Sequence, residues 1–439
     1  MVNRYDAIII GAGQAGPALA ARLAAAGRNV AIIERGKFGG TCVNNGCTPT
    51  KTLLASAYAA RAVQRASEYG VCIRGSARVT MSRVKARKDS VVEQSRSSLE
   101  SWLAALANVT IYRGHARFVA PRTVAVGGET LTGERVFIDV GGRPSVPAFP
   151  GIEGVPFLTS DSIMELEALP EHLVIVGGGY VGLEFAQMYR RFGSRVTVVE
   201  MGPGLLGRED ADVSAAVAQI LAAEDIEIRL DARCIRLEAA SSEGIRVHVE
   251  CSRGPPAVTG SHVLLAVGEA LATSATNVYA LGDCNGRTGF THTAYDDYEI
   301  VADNLLEGAD RKVSDRIAIY GLFIDPPLGR VGLTEAEARR TGRKVLVGRR
   351  PMSRIARARE KGETQGFMKL LVDAGNRAIV GAAILGVGGD EVVHSVLDAM
   401  YAQLPCTAVQ RSVRIHPTVS ELIPTVLAEL SPSGGEPGF

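Results

Sequence analysis

Two cysteines stand five positions apart in Phe38-Gly39-Gly40-Thr41-Cys42-Val43-Asn44-Asn45-Gly46-Cys47. Five steps along a regular helix turn a side chain through about 140°, so the two sulfurs meet only if the segment between them is distorted. Asn44, Asn45 and Gly46 tolerate such backbone. Pro49 fits the first turn of a helix, and residues 53–66, rich in Ala and Leu, read as its body. The positive end of that helix would favour a thiolate at Cys47. The spacing alone admits two readings, a redox-active disulfide or two unrelated buried thiols. A second reactive group lies far along the chain, in Arg414-Ile415-His416-Pro417-Thr418-Val419-Ser420-Glu421. His416 precedes a proline and is expected on an extended segment just before a helix. With Glu421 as partner it is a candidate acid–base for thiol chemistry, although a His taken alone is more often structural.

These groups need a framework, and the glycines supply one. Residues 5–10 read as a buried parallel strand running into Gly11-Ala12-Gly13-Gln14-Ala15-Gly16, then a helix of Ala and Leu to Gly27, then a strand ending at Glu34. This is a dinucleotide fingerprint in its proper setting. Gly11 allows the tight turn, Gly13 lets a pyrophosphate approach, Gly16 lets helix and strand pack, and Glu34 can accept a ribose hydroxyl. The pattern recurs in residues 171–176, Gly177-Gly178-Gly179-Tyr180-Val181-Gly182, a helix to Phe192, and a strand ending at Glu200. From middle glycine to acid the two units match, since 34 − 13 and 200 − 179 are both 21. One chain therefore carries two dinucleotide sites, one for a resident and one for a visitor. A carboxylate at Glu200 accepts the 2′-hydroxyl of NAD and repels the 2′-phosphate of NADP. Residues 201–206 bring no basic group, Arg208 being the nearest, so NADH is expected ahead of NADPH.

The 439 residues exceed one ordinary core. The expected class is α/β: two Rossmann-like dinucleotide-binding domains plus a C-terminal α+β domain. Residues 1–145 with 263–315 form the first, 146–262 the second, 316–430 the third, and 431–439 a flexible tail rich in Gly, Pro and Ser. The third domain is read as strands at 330–333, 366–372 and 378–385 with a helix at 390–403. A helix over 82–106 carries basic residues expected to form a solvated face. The apolar strand at 277–284 ends in Gly282 and Asp283, where open α/β sheets bind ligands, and Asp283 reads as a ligand for a sugar hydroxyl or as a helix cap. A net charge of +1 gives no case for nucleic acid or an anionic membrane, and no apolar run is long enough to span a bilayer. Seven scattered cysteines, only two of them close together, fit a reducing cytoplasm with one catalytic pair. No resident metal is expected.

Taken together, these residues resemble the class I pyridine nucleotide-disulfide oxidoreductases, the flavin disulfide reductases that include dihydrolipoamide dehydrogenase, mercuric reductase and glutathione reductase. The resemblance spans nearly the whole chain. It is most specific at Gly39 through Lys51, at Ala280-Leu281-Gly282-Asp283, and at His416-Pro417-Thr418 with Glu421. It implies FAD on the first glycine motif, with Glu34 at its ribose, Asp283 at its ribityl chain, and Thr41 and Lys51 close by. It implies NAD(P)H on Gly177, Gly179, Gly182 and Glu200. Cys47 would be the thiolate against the flavin and Cys42 the interchange thiol. Lys51 and Glu184 match a family pair that tunes the flavin. His416, oriented by Glu421, would be the general base of the other subunit's site, which implies a homodimer built through the third domain. The implied reaction carries a hydride from nicotinamide to flavin, two electrons to the Cys42–Cys47 disulfide, and then on to a small disulfide or thiol substrate. Dihydrolipoamide dehydrogenase and a mercuric reductase-like metal-ion reductase are the alternatives, and a flavin-bearing redox sensor is the alternative outside catalysis. Two departures stand out. Residues 427–439 lack the cysteine pair with which mercuric reductases typically end, and residues 269–276 bridge a stretch that is longer in the family.

Overall fold

The computed structural model describes residues 2–75, 77–240, 244–250, 254–267, 278–287 and 289–433. The chain divides into two compact units, one of residues 1–147, 158–169 and 267–316, the other of 148–157, 170–266 and 317–439. The bridging stretch 269–276 and most of the expected flexible tail, 434–439, lie outside the described residues.

In the first unit the strand Val2–Ile10 begins exposed and is buried on both faces at Ala7–Ile9, where a parallel strand runs between covering layers. Ala7 and Ile9 pack with Leu19 of the helix Ala15–Ala25 and with Ala294 and Tyr298 of the helix Thr291–Leu306. Ile8 packs on the opposite side with Ile33, Val124 and Val136. The parallel neighbours run in the order Val109–Arg113, Val30–Glu34, Val2–Ile10, Glu129–Ile138. The last strand is long enough to take two partners. Val278–Ala280 pairs parallel with its C-terminal half, and Thr123–Val126, with Arg117–Ala120 beyond it, pairs antiparallel with its N-terminal half.

The second unit repeats this plan. Its parallel sheet runs His262–Leu265, His172–Val176, Arg195–Val199, Glu227–Arg229, and an antiparallel excursion of Arg233–Ala240, Gly244–Glu250 and Ala257–Gly260 lies between the last two in chain order. This corrects the expected boundary at residue 263. Val263 and Leu265 bury against Val174 and Val176, so this strand closes the second sheet and not the first. The rest of the unit is a six-stranded antiparallel sheet in the order Ile319–Leu322, Leu328–Gly332, Ile379–Leu385, Phe367–Asp373, Val345–Pro351, Ser431–Pro432. Ser431 and Pro432, expected in the tail, pair with Val347 and Leu346 and so belong to the sheet edge. The helix expected at 390–403 is two pieces, Gly389–Val392 and His394–Tyr401.

Candidate active site

Each glycine loop is shaped as its motif requires. Gly11 has φ 109°, and a Cβ there would stand 2.1 Å from the Asp139 carbonyl oxygen, so only glycine fits. Gly177 repeats the conformation at φ 118°. A Cβ on Gly16 or Gly182 would run into the carbonyl oxygen of Gly11 or Gly177, which is the close helix–strand contact expected of the third glycine. The two acids act alike. Glu34 accepts from the N–H of Ala12 at 2.9 Å and of Gly36 at 2.7 Å, and Glu200 accepts from Gly178 and Gly202, both at 2.6 Å. Each carboxylate thus pins its loop and keeps lone pairs for a further donor. The helices Ala15–Ala25 and Tyr180–Phe192 carry no acid in their first turns, so both loops suit a diphosphate.

The cysteine segment is packed on the first loop. The Gly39 N–H donates to the Ala12 carbonyl at 2.8 Å, the Gln14 amide donates to the Gly39 carbonyl at 3.1 Å, and a Cβ on Gly40 would lie 2.8 Å from Gly13 Cα. From there the chain makes a short helix, Gly40–Asn44, breaks at Asn45 and Gly46, and starts the long helix Cys47–Gln64. The break is the distortion the spacing demands. At Gly46 a Cβ would meet the Thr41 carbonyl oxygen at 2.8 Å and Cys42 Cα at 3.3 Å. Cys42 and Cys47 are free thiols hydrogen-bonded to each other, Cys42 half-buried and Cys47 exposed.

Cys47 Sγ also lies 3.2 Å from Thr291 Oγ1, at the first residue of the helix Thr291–Leu306. Two helix N-termini therefore converge on one sulfur. The hydrogen bond with Cys42, then that with Thr291 and the charge of Lys51, outweigh the partial desolvation of the sulfur in this otherwise exposed residue and bring the Cys47 thiol down to about 6. Cys42 is pushed the opposite way, first by its hydrogen bond with Cys47 and then by burial. Cys47 is the thiol that ionises and Cys42 the one that keeps its proton.

In the second unit His416 is exposed on an irregular segment, and its Nδ1 lies 3.0 and 2.9 Å from the two oxygens of Glu421. The peptide bond between His416 and Pro417 is cis. A carboxylate at Nδ1 fixes the proton there and leaves Nε2 as the basic nitrogen. Glu421 is steadied in turn, since the Thr418 hydroxyl accepts from its N–H at 3.2 Å and donates to the Ile415 carbonyl at 2.7 Å. Glu184 is buried and accepts from the Phe323 N–H at 3.1 Å. Its pairing with Lys51, a residue of the first unit, rests on the resemblance. Asp283 lies half-buried in the turn Gly282–Asn285, and burial, reinforced by Asp297, raises its carboxyl.

Two residues escaped the sequence reading. Thr291 has no local signal, because its partner is 244 positions away. Asp139 has one, a lone acid in the apolar run 136–140, and it proves to be buried with Oδ2 accepting from the Gly16 N–H at 2.8 Å. One expectation is corrected. Lys88, assigned to a solvated face, is 2 % exposed and paired with Asp89 at 2.5 Å and Glu165 at 3.0 Å.

Two dinucleotide loops, a dithiol seated on the first of them, and a His–Glu pair define a nucleotide-dependent dithiol oxidoreductase. Residues 5–270 match the pyridine nucleotide-disulphide oxidoreductase family, and residues 320–427 match the dimerisation domain of that family. The chain belongs to this family of FAD- and pyridine nucleotide-dependent oxidoreductases. It is 35% identical to the probable pyridine nucleotide-disulfide oxidoreductase RclA of Escherichia coli, over 96% of this chain and 98% of that one. It is 32% identical to a mercuric reductase of Streptomyces lividans, over 95% and 94%. It is 28% identical to a dihydrolipoyl dehydrogenase of Mycoplasma pneumoniae, over 96% and 97%. The solved structure of the HOCl-induced flavoprotein disulfide reductase RclA from E. coli superposes with a TM-score of 0.86 at 34% identity, over 97% of this chain and 99% of that one.

Proposed function

We propose that this protein takes two electrons from NADH, through FAD, to the Cys42–Cys47 pair and uses them to reduce a small disulfide. The observation that carries this reading is the seating of the cysteine segment on the Gly11–Gly16 loop, with Cys47 already inclined to ionise. Gly11, Gly13, Gly16, Glu34, Thr41, Lys51 and Asp283 would hold FAD, and Gly177, Gly179, Gly182 and Glu200 would hold NADH. FAD, when bound, relays an electron pair from the nicotinamide to the cysteine disulfide.

The remaining steps belong to the chain. His416 Nε2 takes the proton of Cys42, and the Cys42 thiolate attacks one sulfur of the substrate. A mixed disulfide forms, and the first substrate thiolate leaves with the proton that His416 returns. The Cys47 thiolate then attacks Cys42 Sγ, which remakes the Cys42–Cys47 disulfide and releases the second thiolate. One substrate disulfide becomes a thiol and a thiolate, the latter taking its proton from solvent, and the pair returns to its oxidised form.

His416 is assigned to the site of a second subunit. Val413 and Ile415, just before it, are 99% and 80% exposed, apolar surface that a partner would cover. The family's dimerisation domain spans this segment. No described helix is long and apolar enough to cross a membrane, and free thiols suit the cytoplasm, which we take as its compartment.

A metal ion as acceptor is the second reading. It is favoured by the mercuric reductase relative and by the Cu(II) complex formed by RclA of E. coli, and paired thiols are soft ligands. Anaerobic titration with NADH and with NADPH, followed by turnover with disulfides, Hg(II) and Cu(II), separates the readings. Reduction by NADH with a long-wavelength absorbance band and disulfide turnover is expected. Bleaching without the band would uncouple the cysteines from the flavin and point to the sensor alternative.

A further inference from the structure

We propose that Asp139 stands in the FAD loop as a neutral carboxylic acid, and that FAD binding is linked to its protonation. The inference rests on FAD occupying the first glycine motif. Asp139 is 6% exposed and follows the last residue of the strand Glu129–Ile138. Its carboxyl accepts from the N–H groups of both Gly16 and Gly13, and a Cβ on Gly13 would stand 2.9 Å from its Oδ2. These amides belong to the loop and helix start that attract a diphosphate.

The second loop is an internal control. Asp139 N–H donates to the Ile10 carbonyl at 2.8 Å, and Ala266 N–H donates to the Val176 carbonyl at 2.9 Å, so the two residues occupy one register. A Cβ on Gly16 would lie 3.0 Å from Asp139 Oδ2, and one on Gly182 would lie 3.4 Å from Ala266 Cβ. Outside Gly179 the space is open. One loop faces a methyl group and the other a carboxyl, so the motif itself does not require the acid.

Two forces contend at this carboxyl. Amide hydrogen bonds and a helix N-terminus favour the carboxylate, while burial and neighbouring acids favour the acid. The groups facing it are Glu34 at the end of Val30–Glu34, and Asp283 and the Cys284 thiol in the turn Gly282–Asn285. Behind the turn, Asp297 of the helix Thr291–Leu306 is paired with Arg316 at 2.5 Å. The first turn of Ala15–Ala25 holds no charged residue. Burial, with Asp283 and Glu34 adding to it, overcomes the two amides and lifts the carboxyl to about 8. A diphosphate brings more negative charge and raises it further. Below about pH 8 the acid is already protonated and binding moves no proton. Above it, binding takes one proton from solution, so affinity for FAD falls by up to tenfold per pH unit.

The test is FAD titration of the apoprotein, read by flavin fluorescence, between about pH 6 and pH 9.5. Wild type is expected to bind evenly up to about pH 8 and to weaken above it. Asp139→Asn copies the neutral acid and should bind with wild-type low-pH affinity throughout. The same slope in Asp139→Asn assigns the proton to another group and overturns the proposal, as does a flat wild type. Should the variant not fold, calorimetry on wild type at about pH 9, in buffers of different ionisation enthalpy, counts the proton directly. One proton taken up supports the proposal and none overturns it. Failure of wild type to bind FAD at any pH overturns the cofactor assignment itself.

Discussion

At Cys47 the chain gathers what a thiolate needs: a partner thiol, a threonine hydroxyl, a lysine charge and two helix N-termini. Because the thiol lies near 6, the thiolate dominates above that pH and is lost as pH falls through it. In the two-electron-reduced enzyme the long-wavelength band should therefore fade on acidification with a midpoint near that value. Cys47→Ser should keep FAD and lose the band, and a surviving band would reassign the flavin-facing sulfur. Thr291→Ala should move the midpoint upward. A hydrogen bond to a charged group contributes about 1.5–3 kcal/mol, and the exposure of Cys47 trims this to about one pH unit. Thr291→Ser should restore the midpoint, and an unmoved midpoint in the alanine variant would remove Thr291 from the site. The cysteine pair was legible because its partners are close in sequence. Thr291 was not, because only the fold brings residue 291 to residue 47.

Among the elements, the break between Gly40–Asn44 and Cys47–Gln64 decides whether the two sulfurs can face each other. Gly46→Ala puts a methyl group against backbone atoms that cannot swing aside, at a cost of about 1–3 kcal/mol. It should lower thermal stability and weaken the long-wavelength band, whereas Gly207→Ala, which meets nothing within 4 Å, should do neither. A second junction is held by charge. Lys369 of the strand Phe367–Asp373 is fully buried between Asp210 at 2.9 Å, Asp212 at 2.7 Å and Glu335 at 3.0 Å, so its ammonium already fills the carboxylate cluster. Lys369→Met leaves three acids facing one another and should cost about 3–5 kcal/mol in denaturant unfolding. An unchanged midpoint would mean the acids take up protons instead. The duplicated parallel sheets were readable from the glycines and acids that end their strands. The strand Val345–Pro351 was not, because Arg349 and Arg350 interrupt its apolar pattern. Arg349 is accommodated over the Phe367 ring at 4.1 Å and Arg350 pairs with Glu429 at 2.8 Å, partners that only the folded sheet supplies.

For the molecule as a whole, the question is whether one chain makes a complete site. His416 and its Glu421 partner stand on an exposed segment whose Val413 and Ile415 are almost bare, as expected of a surface that meets a second copy. If each His416 serves the opposite cysteine pair, two dead variants can repair each other. In a heterodimer of Cys47→Ser with His416→Ala, the intact cysteines come from one subunit and the intact histidine from the other. One site is whole and the other lacks both groups. Random pairing on co-expression makes half of the dimers mixed, so disulfide reductase activity should return to about one quarter of wild type, while either variant alone shows little. NADH reduction of the flavin in His416→Ala should stay near wild type if the histidine, as proposed, acts only on thiols. Val413→Asp with Ile415→Asp places charges on the contact, and light scattering should then show monomers that have lost thiol exchange. Activity that stays additive in the mixture, with no recovery, would place the histidine and the cysteines of one chain in one site, and the dimer would then be unnecessary for catalysis.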